Sequence, residues 1–150
     1  MKQENRTAVG AAVWSAASCA IHMVLFKGKL DTAAPIAVRL LFAVLAIGLT
    51  LPLHEVIHYL FMRLFGIKHA AIELGRDPLG LPSLRTAARE EVRGGKWVVI
   101  LLAPFLLLTL APDILFCLSE RVHLLFFIMA IANSAGCYFD LADVVRNMRG

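Results

Sequence analysis

Four stretches of this chain are almost free of charge, and each is long enough, or nearly so, to cross a lipid bilayer as a helix. Ala8–Phe26, Trp97–Pro112 and Val122–Phe139 contain no Asp, Glu, Lys or Arg, and Leu40–Met62 contains only Glu55. A helix crossing the hydrocarbon needs about 17–25 predominantly apolar residues. The third run falls short, but Ile114–Leu118 extends it beyond Asp113. Apolar residues make up 59% of the 150 and charged residues 17%, against about half and about a quarter in a soluble domain. A core this small cannot hide that excess, because small domains are mostly surface, so lipid must cover part of it. The expected fold is an all-α membrane protein of one domain, 1–150, with about four transmembrane helices near 8–26, 34–65, 96–118 and 122–145. The first span is expected to stay attached, because its apolar run outlasts the core of a secretion signal.

Charge sets the expected orientation. Four spans put the N-terminus, the middle loop and the C-terminus on one side. That side carries Lys2, Arg6, Arg63, Lys68, Arg76, Arg85, Arg89, Arg93, Lys96, Arg146 and Arg149, which is eleven of the fifteen basic residues. Lys27, Lys29, Arg39 and Arg121 fall on the other side. Basic residues favour the cytoplasmic side, so both termini are expected in the cytoplasm of a plasma-membrane protein. The basic middle loop is expected against anionic lipid headgroups. The basic residues are not interleaved with aromatics and no nucleic-acid motif is present, which excludes a nucleic-acid partner. The three cysteines, Cys19, Cys117 and Cys137, lie in apolar runs without close spacing and read as small packing residues.

The one sizeable polar segment, Gly66 to Lys96, is expected to form a small hairpin or amphipathic element at the cytoplasmic face. Ala70–Leu74 reads as a short strand, Gly75–Gly80 as a turn, and Leu84–Arg93 as an interfacial helix.

The chemistry concentrates in His54-Glu55-Val56-Ile57-His58. On a helix, residues four apart share a face, so both imidazoles can bind one Zn²⁺. Glu55 sits beside the metal and can take a proton from an activated water. The spacing matters because the base must reach the water without becoming a ligand. A carboxylate and two imidazoles inside an apolar span are costly, and groups of this kind mark functional sites.

Catalytic zinc usually has three protein ligands and one open position. The fourth span offers Asn133-Ser134-Ala135-Gly136-Cys137-Tyr138-Phe139-Asp140. His58 lies five residues before Arg63, about 7.5 Å along a helix, and Asp140 lies six before Arg146, about 9 Å. The second and fourth spans run the same way, so the two groups reach similar depth in the cytoplasmic leaflet. Asp140 is the expected third ligand, with Asp143, one turn deeper, and Cys137 as alternatives. Asn133, seven residues before Asp140, shares its face and is expected either to bind substrate or to bridge helices. His22 reads as a packing group; His69 and His123 read as solvated.

These residues resemble a family. The HExxH motif on a span, then Leu64-Phe65-Gly66-Ile67-Lys68 and Ile72-Glu73-Leu74-Gly75, then a later span with Asn and Asp, is similar to the site-2 protease-like membrane metallopeptidases. Short membrane proteins classed as zincin peptidases are a closer likeness, also placing a late Asn and Asp after HExxH. The family's Asn-Pro-Asp-Gly type motif is replaced here by Asn133 to Asp140, and Ala103 stands before Pro104 where the family has Gly. The resemblance implies zinc-dependent hydrolysis of membrane-protein or peptide segments in or beside the bilayer, with an extended substrate pairing near Ala70–Leu74. Two other classes fit parts of the pattern: a non-catalytic membrane partner or scaffold with a structural metal, and an ion-path membrane protein. Glu55 argues against the first, since a structural site needs no base. The lack of repeated broken helices argues against the second.

Overall fold

The computed structural model describes residues 2–31, 33–76, 82–90, 92 and 94–149. Helix α1 (Lys2–Phe26) ends in a 3₁₀ turn at Lys27–Lys29, and α2 spans Ile36–Leu64. A hairpin follows, β1 (Ala70–Arg76) and β2 (Pro82–Ala88). The chain then forms α3 (Gly95–Phe105), a π-helical stretch at Leu106–Leu110, α4 (Ala111–Leu118), α5 (Leu124–Gly136) and α6 (Tyr138–Arg149). Four helical segments are long and apolar enough to cross a membrane: Val9–Lys29, Ile36–Leu64, Gly95–Leu118 and Leu124–Arg146. In the last of these, Cys137 N–H donates to Asn133 O and Leu141 N–H to Cys137 O, both at 2.9 Å. These helical bonds carry the span across the α5–α6 junction.

The spans expose their apolar side chains outward. Val24, Val44, Leu51, Leu64 and Leu118 are each more than 60% exposed, whereas Thr50, His58, Thr109, Asn133 and Ser134 are all under 10%. In water this inside-out distribution would forfeit the hydrophobic effect; against lipid it costs nothing, and the polar groups hydrogen-bond inside the bundle.

Two apolar clusters hold the bundle's ends. Phe26, Phe116, Val122, Phe127 and Ala130 pack together at one end. There Val122 N–H donates to Lys29 O (2.8 Å) and Asp31 N–H to Val122 O (3.2 Å), tying two loops. At the other end Met62, Ile67 and Ile100 pack with Ala70, Ala88 and Trp97, seating the hairpin on α2 and α3.

The entry to that hairpin is set by Gly66. Its φ of 83° lies in the left-handed region open to glycine. Ile67 N–H reaches Met62 O and Gly66 N–H reaches Arg63 O, both at 3.0 Å. That is the Schellman closure of a helix, completed by the usual apolar contact across it, here between Ile67 and Met62.

The hairpin pairs antiparallel, with Ile72 opposite Thr86 and Glu73 opposite Arg85. The interfacial helix expected over Leu84–Arg93 is therefore corrected: residues through Ala88 form a strand. Ala and Arg favour helix locally, but β1 offers a partner whose ladder satisfies the backbone, and that tertiary pairing wins. The turn expected at Gly75–Gly80 falls largely outside the described residues.

Candidate metal centre

Three side chains from two helices converge on one point. His54 and His58 project from one face of α2, and Asp140 from the first turn of α6. His54 Nε2 lies 3.0 Å from His58 Nε2 and 3.0 Å from Asp140 Oδ2. His58 Nε2 lies 3.4 Å from the same oxygen. Among the described residues this is the group of His, Cys, Asp or Glu side chains whose geometry could hold a metal ion.

The neighbouring hydrogen bonds decide which atoms face inward. Asn133 Nδ2 donates to Pro104 O (2.9 Å) and Thr109 Oγ1 (3.0 Å). This turns Asn133 Oδ1 toward His54 Nδ1, 3.0 Å away, so that nitrogen carries a proton and donates. His58 Nδ1 lies 2.9 Å from Ile100 O, a group that can only accept, so it too is protonated. That leaves both Nε2 atoms as the nitrogens that face the carboxylate oxygen and would ligate a metal.

Pro104 explains the Ile100 contact. A proline has no N–H to give the carbonyl four residues earlier. Ile100 O is thereby left without its helical donor, and His58 supplies one. Beyond it the π-helical stretch, closed by Ala111 N–H on Leu106 O, carries Thr109, whose hydroxyl donates to Ala130 O at 3.2 Å. Such widened turns recur at functional sites. Neither role was expected from the sequence, although a proline inside an apolar span is a readable signal that the carbonyl four residues earlier is free.

The donor set fits zinc. Two imidazole nitrogens and a carboxylate oxygen converge within 3.4 Å of one another, and a cation set among them would be held by all three. Tetrahedral zinc with bonds of about 2.0–2.2 Å separates neighbouring ligand atoms by about 3.3–3.5 Å, close to the spacing here. Each of the two histidines has its other nitrogen bound to a fixed acceptor, the usual arrangement of metal-ligating histidines.

The family model described as "Putative zincin peptidase" matches residues 47–147, more than half of the chain. The chain belongs to this zincin family. No curated protein and no solved structure matches it at a significant level. The matched stretch holds every residue of the candidate centre, with His54, His58, Asp140, Glu55 and the supporting Asn133 all inside it.

The remaining expected residues fall around the centre. Asn133 is 1% exposed and both its N–H donors are spent on the helices, so its amide bridges helices and holds His54. Cys137 is fully buried, its sulfur 4.0 Å from His54 Nδ1, on the side of the ring away from the ligand atom. Asp143 pairs with Arg146 at 2.8 Å. Glu55 shares a cavity of about 230 Å³ with His58, Thr86, Arg85, Asp140 and Asp143. The contact between Glu55 and Thr86 was not foreseen, and nothing in the local sequence signals it. The strand edge turned toward this cavity belongs to β2, not to the Ala70–Leu74 strand. His22 pairs through Nε2 with Asp113 Oδ1 at 3.1 Å in a separate, mainly apolar pocket, a partnership across 91 residues that spacing does not reveal.

Proposed function

We propose that this protein is a site-2 protease-like integral membrane zinc metallopeptidase that hydrolyses peptide bonds of membrane-protein or peptide substrates in or next to the bilayer. The observation that carries this reading is the convergence of three acceptor atoms, His54 Nε2, His58 Nε2 and Asp140 Oδ2, on one point beside Glu55. His54, His58 and Asp140 hold the metal. Zinc bound there supplies Lewis acidity and makes a nucleophile of water near neutral pH. Glu55 accepts the proton of the attacking water and passes it to the leaving amine. Asn133 and the Ile100 carbonyl orient the two imidazoles. An extended substrate backbone lies along the outer edge of β2, since spanning helices keep their own backbone bonds.

The test is elemental analysis of protein purified without chelator. About one Zn²⁺ per chain is expected, together with cleavage of peptides that a chelator stops. Zinc no higher than in a His54→Ala/His58→Ala variant would sink the reading.

The orientation proposed is both termini and the hairpin in the cytoplasm, in the plasma membrane, with the basic hairpin loop against anionic headgroups. It rests on the eleven-to-four split of basic residues. In a variant lacking the three native cysteines, a Cys at Lys29 should react with an impermeant thiol reagent outside intact cells and a Cys at Arg89 should not. The opposite labelling pattern reverses the orientation.

A further inference from the structure

The carboxylate proposed as the base is held by the hairpin. Glu55 Oε2 accepts the Thr86 backbone N–H at 2.6 Å. The Thr86 hydroxyl lies 2.9 Å from the same oxygen and 2.8 Å from the Glu55 carbonyl, so its one hydrogen is shared between them. A charged acceptor makes these strong bonds.

Thr86 occupies a particular place in the strand. In an antiparallel ladder, alternate residues point N–H and C=O toward the partner strand and the others point away. Thr86 N–H goes to Glu55, so Leu84, Thr86 and Ala88 turn their backbone groups away from β1. Pro82 shares that parity, and its missing N–H costs the ladder nothing. The edge facing the metal centre pairs with no further strand among the described residues, and Glu55 occupies its middle donor.

One N–H cannot serve Glu55 and an incoming backbone at once. We propose that Thr86 is a positioning residue that latches Glu55, and that an extended peptide releases it. A peptide carbonyl takes the Thr86 N–H, and the freed carboxylate turns into the cavity it shares with His58 and Asp140. Substrates that reach the centre as helices cannot supply that carbonyl, so the latch selects extended segments. This inference rests on the peptidase reading above.

The experiment measures binding alone. Full-length protein in detergent micelles, with 1,10-phenanthroline present so that no variant cleaves, is titrated against a fluorescein-labelled, uncharged Thr/Val-alternating decapeptide by fluorescence anisotropy. Glu55→Ala removes the competitor for the N–H and should bind the peptide about tenfold tighter than wild type. Thr86→Val keeps the N–H but loses the hydroxyl that grips Glu55, and should bind about threefold tighter. A merely structural contact predicts the reverse, since loosening the hairpin weakens the edge. Equal or weaker binding by both variants overturns the latch while leaving the zinc and cleavage results standing. Absence of binding by every variant overturns the latch and the pairing of substrate on β2 together. Tighter binding by both variants, when protein purified separately without chelator contains no zinc, would keep the latch and sink the peptidase reading.

Discussion

Glu55→Gln is expected to lower peptide cleavage by about 10²–10⁴-fold, the usual contribution of a positioned general base, while zinc stays bound. The side chain keeps its size and an oxygen that can still accept the Thr86 N–H, so the seat of the hairpin is preserved. What disappears is the ability to accept a proton from water. The metal should be indifferent, because the atoms that converge are those of His54, His58 and Asp140, and Glu55 is not among them. Single-turnover cleavage followed by mass spectrometry, with zinc measured on the same preparation, separates the two effects. Retained cleavage removes Glu55 from its role as base. Lost zinc would mean that Glu55 supports the metal rather than the water.

How legible this protein is from sequence depends on the range of the interaction involved. The four apolar helices are a property of composition within about twenty residues, and hydropathy alone locates them. The HExxH face is also local, because helical geometry dictates that His54 and His58 neighbour each other. Asp140 needed a longer step. Counting residues back from Arg63 and Arg146 puts it at the level of His58, since a bilayer gives every span the same ruler.

What the sequence conceals is mutual orientation. Depth says nothing about which way a helix is turned, so Asn133 could equally have faced a substrate. Its saturation by Pro104, Thr109 and His54 depends on three helices at once. The second strand was misread for a related reason. Ser83-Leu84-Arg85-Thr86-Ala87-Ala88 has residues that favour helix and too little apolar alternation to signal a strand. Only β1, pairing across a turn, makes it one. Thr86 on Glu55 inherits that obscurity, since the contact exists only once the hairpin has formed and docked. The proline in the third span is the exception: Pro104 must free the carbonyl of Ile100, and a free carbonyl inside a bundle needs a donor.

Asp140→Ala is expected to reduce zinc affinity by at least about a hundredfold. Structural zinc sites are worth about 10–16 kcal/mol shared over their ligands, so losing one of three protein ligands costs several kcal/mol. Asp140 contributes more than a donor atom, because it is the one carboxylate in the set and its negative charge offsets the ion's where unpaired charge is expensive. Asp143 cannot take its place by a small adjustment, being a turn further on, half exposed and paired with Arg146. Asp143→Ala should therefore leave zinc binding unchanged. Zinc should raise the thermal midpoint of wild type, by linkage to a ligand that binds only the folded state, and should fail to raise that of Asp140→Ala at the same concentration. If Asp140→Ala binds zinc like wild type while Asp143→Ala does not, the third ligand is Asp143 and α6 must turn by part of a helical repeat to present it.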